Sequence, residues 1–221
     1  MKDTIKIVLT ILCSILMTGC SLFGYDLQED YEYKNSSIDP QTNKTVLEYM
    51  NSRKDIFSSM LKAIEYTGLD TLYNKENNTY LLLTNYALTD LTNKNSYFYI
   101  NKVPNPIDAT KMIYGSKWSD YDTTIIREFL KYHVVKGTYN YAQLTATRVW
   151  APTYASGDTC KMSFVLTNDR YAYLYIQNNL SNTAFESLKP RTPGLECLNS
   201  GAVHVMDKFV NPPTKFQLGL K

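Results

Sequence analysis

The apolar spacing of residues 121–139 changes midway, and that change restricts the fold more than any other feature of the chain. Tyr121, Ile125 and Phe129 fall four apart, with Ile126, Leu130 and Val134 beside them, while Arg127, Glu128 and Lys131 take the other side. Such a stripe predicts an amphipathic helix. Asp120 and Asp122 stand where the positive end of a helix favours acids. His133 follows the apolar row, four residues after Phe129, which predicts a partly buried structural histidine. Gly137 then offers a turn, and from Thr145 onward the pattern is that of strands. Helices first and strands later imply an α+β fold.

Lys2 and Lys6 precede an apolar run from Ile7 to Met17, and Met17-Thr18-Gly19 leads into Cys20. The run is far below the roughly 20 residues a membrane span needs, so it reads as an export signal. Small residues directly before the cysteine resemble the bacterial lipobox. That resemblance implies a lipoprotein signal peptide over residues 1–19, cleavage before Cys20 and acylation of Cys20. Membrane lipid is therefore an expected partner through acylated Cys20, several acyl chains together giving stable attachment. Ser21 stands in place of the aspartate that commonly retains such proteins in the inner membrane. An outer-membrane anchor facing the cell exterior is the expectation, with the periplasmic face as the alternative. Asp26, Glu29, Asp30, Glu32 and the polar stretch 35–43 predict a solvated spacer, so that residues 20–44 comprise the acylated cysteine and a flexible linker. In an oxidising compartment the remaining cysteines, Cys160 and Cys197, are expected to form a disulfide.

Thr45-Val46-Leu47-Glu48 fits a capping box, and Ser52 to Asp55 reads as a second cap. Ile56, Phe57, Met60, Leu61 and Ile64 form one stripe that Gly68 terminates. Tyr80 to Thr84 reads as a buried strand with a short helix after it. Tyr97 to Ile100 reads as a short strand or extended edge, and Val103 to Pro106 as irregular. Strands are expected at Thr147–Trp150, Lys161–Thr167, Tyr171–Gln177 and Ala202–Met206, with a tight turn at Asn168-Asp169. In the third of these, Tyr171, Tyr173 and Tyr175 fall on one face and Ala172, Leu174 and Ile176 on the other.

A formal charge of +2 argues against a nucleic-acid partner, which would call for a basic patch. His133 and His204 are the only histidines, and no HExxH zinc motif occurs, so neither a metal nor another cofactor is expected. Ser59-Met60-Leu61-Lys62 matches one element of serine β-lactamase-like enzymes, but no Lys-Thr-Gly or Ser-Asp-Asn accompanies it. Asp108, Asp120 and Asp122 are scattered acids, and spacing shows no glycosidase pair among them. No catalytic residue is assigned. Nineteen tyrosines suit strands, interfaces and sugar-binding faces, which makes Tyr171, Tyr173 and Tyr175 ligand-binding candidates.

Three ordered stretches resemble the fasciclin-type (FAS1) adhesion domain. Tyr80 to Leu88 is similar to its first motif, although the usual proline is missing. Leu130-Lys131-Tyr132-His133-Val134-Val135-Lys136-Gly137-Thr138-Tyr139 is similar to the central motif, and Asn199 to Lys208, with Ala202-Val203-His204-Val205-Met206, to the closing one. The resemblance covers roughly residues 45–213, leaving 214–221 as a tail, and implies a wedge of two twisted sheets with packed helices. It makes Tyr132, His133, Gly137 and His204 structural-motif residues, and it offers Tyr132-His133 as a receptor contact. It implies a bacterial lipoprotein that serves cell-surface adhesion or ligand binding without catalysis, its ligand a surface protein or polysaccharide. A structural subunit of an outer-membrane or fimbria-like assembly, and a carbohydrate-active enzyme, stand as alternatives.

Overall fold

Capping chemistry places the first elements. In this computed structural model, which describes residues 40–156, 160–178, 187–198 and 201–212, α1 (Val46–Ser52) begins at the expected box. Thr45 Oγ1 accepts from Glu48 N at 3.3 Å, and Glu48 Oε2 accepts from Thr45 N at 2.9 Å. Thr45→Ala is expected to cost about 1 kcal/mol, read as a lower urea midpoint. Helix α2 (Lys54–Thr67) buries Phe57, Met60 and Ile64 and ends at Gly68. Its expected cap at Ser52 is not made. Ser52 is still the last residue of α1, and its hydroxyl donates back to Tyr49 O at 2.8 Å.

The later helices are α3 (Asn85–Leu88), α4 (Tyr97–Ile100) and α5 (Thr123–Tyr132). The described strands are β1 (Asn78–Leu83), β2 (Val103–Pro104), β3 (Met112–Ile113), β4 (Val134–Lys136), β5 (Val149–Pro152), β6 (Lys161–Leu166), β7 (Leu174–Asn178), β8 (Thr192–Glu196) and β9 (Ala202–Met206). One sheet runs β4-β1-β9-β8, with β1 and β9 parallel at its centre. Every residue of both central strands is buried. Neither face meets water, so Tyr80–Leu83 of β1 is a continuous apolar run and in β9 only His204 interrupts one. A second sheet, β5-β6-β7, is antiparallel throughout. Phe164 of β6 links the two, stacked on Tyr139 at 5.0 Å and lying 6.1 Å from the His204 ring of β9.

Four local readings are corrected. Residues 97–100 form helix rather than strand, because the Ser96 side chain accepts from Tyr99 N. Val103–Pro104 is not irregular but pairs with Met112–Ile113. Ile125, assigned to the apolar stripe of α5, is 61% exposed, while Ile126, Phe129 and Leu130 are buried. Pro40 and Thr42, expected within the spacer, hydrogen-bond to β8, Glu196 N donating to Pro40 O and Thr42 N to Glu196 O, and Lys44 O accepts from Leu198 N just beyond it. None of the described helices is long and apolar enough to cross a membrane.

Candidate functional site

The three signature stretches converge on one another rather than on the surface. His133 caps α5, is fully buried, and places Nδ1 2.8 Å from Phe129 O, while Nε2 lies 3.0 Å from Val210 N. A carbonyl only accepts and an amide N–H only donates, so Nδ1 carries the proton. His204 is equally buried: Nδ1 accepts from Gly194 N at 2.9 Å and Nε2–H donates to Tyr139 O at 2.9 Å. Burial pushes both imidazoles down to about 4. The Tyr132 ring is also fully buried, its hydroxyl donating to Lys161 O of β6 at 3.2 Å. Gly137, at φ 101°, makes the turn after β4, and its carbonyl accepts from Thr79 Oγ1 at 2.8 Å. In the first motif, Thr84 caps α3 and donates to Asp207 Oδ1 at 2.8 Å, while Asn85 Oδ1 accepts from Ser59 N at 2.8 Å. These residues fasten helix to strand and sheet to sheet. The expected partly buried histidine is wholly buried, and the Tyr132-His133 pair is closed to any receptor.

The tyrosine face differs from its expectation. Strand β7 starts at Leu174, so Tyr171 lies in the preceding turn, where it is 57% exposed. Asp169 builds that turn, its Oδ1 accepting from Tyr171 N at 2.9 Å and Ala172 N at 3.0 Å. Those amides hold its carboxyl below the usual carboxylate range. Ala172 takes φ 45°, which an alternating strand does not contain. The kink stacks the Tyr171 and Tyr173 rings at 5.4 Å and 15°. The Arg170 guanidinium lies 4.6 Å from the Tyr171 centroid, and the Lys189 ammonium 3.1 Å from that of Tyr173. Tyr175, on β7, is half-buried. The structure thus brings two of the three expected tyrosines together and adds two cations. Arg170 adjoins Tyr171 in sequence and was open to local reading. Lys189 arrives from another segment and carries no local signal.

The cysteines are not joined as expected but are held as thiols. The Cys160 thiol donates to Ser156 O at 3.3 Å beside β6, whereas Cys197 accepts from Thr42 Oγ1 at 3.4 Å beyond β8. A disulfide needs Cα atoms about 4.4–6.8 Å apart, and these two residues flank strands of different sheets. Cys160 borders a cleft of about 560 Å³ with Tyr97, Ile125, Glu128, Phe129 and Phe209. Burial and the Glu128 carboxylate push its thiol up, opposite to an activated nucleophile. Cys197 borders a smaller cleft of about 320 Å³ with Thr138, Asn140 and Glu196.

The acids weighed as catalysts are spent on local structure. Asp122 Oδ1 caps α5 through Thr124 N and Ile125 N, Asp120 accepts from Ser116 N and Lys117 N, and Asp108 closes a turn through Thr110 N. Ser59 is buried while Lys62 is exposed, so the serine–lysine spacing does not assemble. Among the described residues no group of three or more His, Cys, Asp or Glu side chains is placed to hold a metal ion. Cys20 and its leader, Asn199 and Ser200 of the closing motif, and Pro213 lie outside the described residues.

Fourteen solved chains match this structure. Among them is a FAS1 domain pair from the insect cell adhesion molecule fasciclin I, at TM-score 0.51 and 14% identity over 79% of this chain and 52% of that one. This chain therefore spans about half the length of that neighbour. No family model matches the sequence, and no curated protein matches it. The architecture is that of a fasciclin-like wedge, with mixed sheets and packed helices.

Proposed function

We propose that this chain is a non-enzymatic adhesion or ligand-binding lipoprotein, anchored through acylated Cys20 in a bacterial outer membrane and facing outward. The observation that carries the reading is the cation-bearing ring pair Tyr171–Tyr173 on an exposed hairpin. The structural neighbour is described as a cell adhesion molecule, which supports the same class. Each ring already carries a cation, so the patch suits an acidic group better than flat stacking against a neutral sugar. An acidic surface polysaccharide or an acidic protein segment is the ligand chemistry that fits. The neutral buried histidines, the raised Cys160 thiol and the locally engaged aspartates support a non-enzymatic role.

A glycan array combined with pull-down from intact cells tests the contact. The Tyr171→Ala, Tyr173→Ala double variant is expected to lose about tenfold in binding to whatever the unsubstituted chain captures, as loss of two central aromatics does elsewhere. Capture undiminished by the double substitution refutes the site, and glycan hydrolysis by the purified chain refutes the non-enzymatic reading. Incorporation of labelled palmitate, lost in Cys20→Ala, tests the anchor.

A further inference from the structure

Antiparallel register sets Trp150 opposite Ser163 and Ser163 opposite Gln177, one row across β5, β6 and β7. Residues in the other phase, Ala151, Met162, Phe164 and Ile176, are buried in the core, so this row lies on the outward face. Tyr175 and Tyr173 follow Gln177 on that face, and Tyr173 stands about 13 Å along from the row at about 3.3 Å per residue. Thr167 N donates to Tyr173 O at 2.9 Å, which keeps Tyr173 beside β6 although it precedes β7. Leu188 exchanges two hydrogen bonds with Ile176, and Lys189 next to it reaches the Tyr173 ring. Trp150 is 40% exposed, and the Arg148 guanidinium lies 6.0 Å from its centroid. Trp150, Tyr171 and Tyr173 therefore each carry a cation on one face. Arg148, Lys161, Arg170 and Lys189 stand against Asp169 among the described residues here, four minus one, a net +3. Asp169 is engaged in its turn by Tyr171 N and Ala172 N. Asp158 and Glu186, in the same stretch of chain, lie outside the described residues. Beside Trp150 in the row, the Gln177 amide nitrogen donates to Ser187 Oγ, while buried Gln177 Oε1 and buried Ser163 Oγ have no hydrogen-bond partner among the described residues.

We propose that the outward face of β5–β7 binds an extended uronic-acid polysaccharide, with Trp150 and Arg148 as a second subsite. This rests on the Tyr171–Tyr173 contact and narrows its ligand. A uronic acid residue carries a carboxylate for a ring-bound cation, an apolar C–H face for the ring itself, and hydroxyls that both donate and accept. One such hydroxyl can accept from Ser163 Oγ and donate to Gln177 Oε1, groups that are costly to leave unmet. A run of acidic side chains supplies the carboxylates alone. A chain that spans both subsites makes its second contact intramolecularly, so a polymer binds more tightly than its monomer.

The test titrates the full chain carrying Cys20→Ala with polygalacturonate, against monomeric galacturonate, neutral dextran and poly-glutamate. Polygalacturonate is expected to bind at least about tenfold more tightly than the monomer and to weaken markedly at about 0.5 M salt. It is also expected to shield the Trp150 emission from acrylamide, with buried Trp118 as the internal reference. Trp150→Ala is expected to lose about tenfold in affinity. Arg148→Glu, at an exposed position, gives a second variant with a similar loss and an unchanged thermal midpoint. Binding that both variants leave undiminished, yet that the Tyr171→Ala, Tyr173→Ala double variant removes, overturns the second subsite and leaves the first contact standing. Poly-glutamate or dextran bound as tightly as polygalacturonate overturns the polysaccharide assignment. No binding of polygalacturonate overturns the proposal, and capture from intact cells then judges the Tyr171–Tyr173 contact separately.

Discussion

Lowering the pH from 7 to 5 is expected to remove about 4 kcal/mol of folding stability, through His133 and His204. In the unfolded chain both imidazoles titrate near 6.5, whereas in the fold burial holds them down to about 4. Between those values the unfolded state binds more protons, so the stability present above pH 6.5 falls as the pH drops and the loss is complete below about 4. At pH 5 each histidine accounts for about 2 kcal/mol, a large share of the 5–15 kcal/mol typical of a domain. The surface acids held low by local hydrogen bonds, Asp108, Asp120 and Asp169 among them, lose charge at still lower pH, so pH 5 isolates the imidazoles. Urea unfolding at the two pH values measures the difference. His133→Leu or His204→Leu should lower stability at pH 7, by orphaning Val210 N or Gly194 N, and should remove about half the pH dependence. A double variant that keeps the full dependence would refute the assignment.

Gly201→Ala is expected to cost about 3 kcal/mol or more, lowering the thermal midpoint by roughly 6–12 °C. Its Cβ would stand 2.2 Å from Asn78 O, 2.9 Å from Asn78 C and 2.6 Å from Thr138 Oγ1. The nearest obstacle is the backbone of β1, the strand on which β9 lies in parallel register, Tyr80 opposite Val203. That backbone cannot turn aside as a side-chain end can. Trimming the other neighbour with Thr138→Ala should therefore leave most of the loss in place. Recovery of wild-type stability in that double variant would place the clash on the threonine instead.

How far each feature is legible depends on how far its partners lie along the chain. The capping box at Thr45, the helix end at Gly68 and the acid at Asp122 are settled within four residues, and each forms as local chemistry requires. The burial of both faces follows from the apolar runs Tyr80–Leu83 in β1 and, on either side of His204, Ala202–Met206 in β9. Where short segments lack a decisive period, one side chain tips the outcome: Ser96 turns residues 97–100 into helix, although their aromatic and β-branched composition favours extension. The Tyr171–Tyr175 alternation fails for the opposite reason. Asp169 draws two successive amides to one oxygen and delays the strand until Leu174, so a period of two never begins at Tyr171.

Apolar runs of helix and strand period are properties of neighbouring residues and point to an α+β fold, and the ordered Tyr132-His133 and His204 motifs point by resemblance to the wedge. The roles of those motifs are not local. His133 meets Val210, His204 meets Tyr139, and Thr84 meets Asp207, each across a long separation in sequence. Chain crossing likewise brings Lys189 over Tyr173 and sets Cys160 and Cys197 beside different sheets. Hydrogen bonds and ring contacts act over a few ångströms, so separation in space decides them, and sequence distance carries almost no information about it.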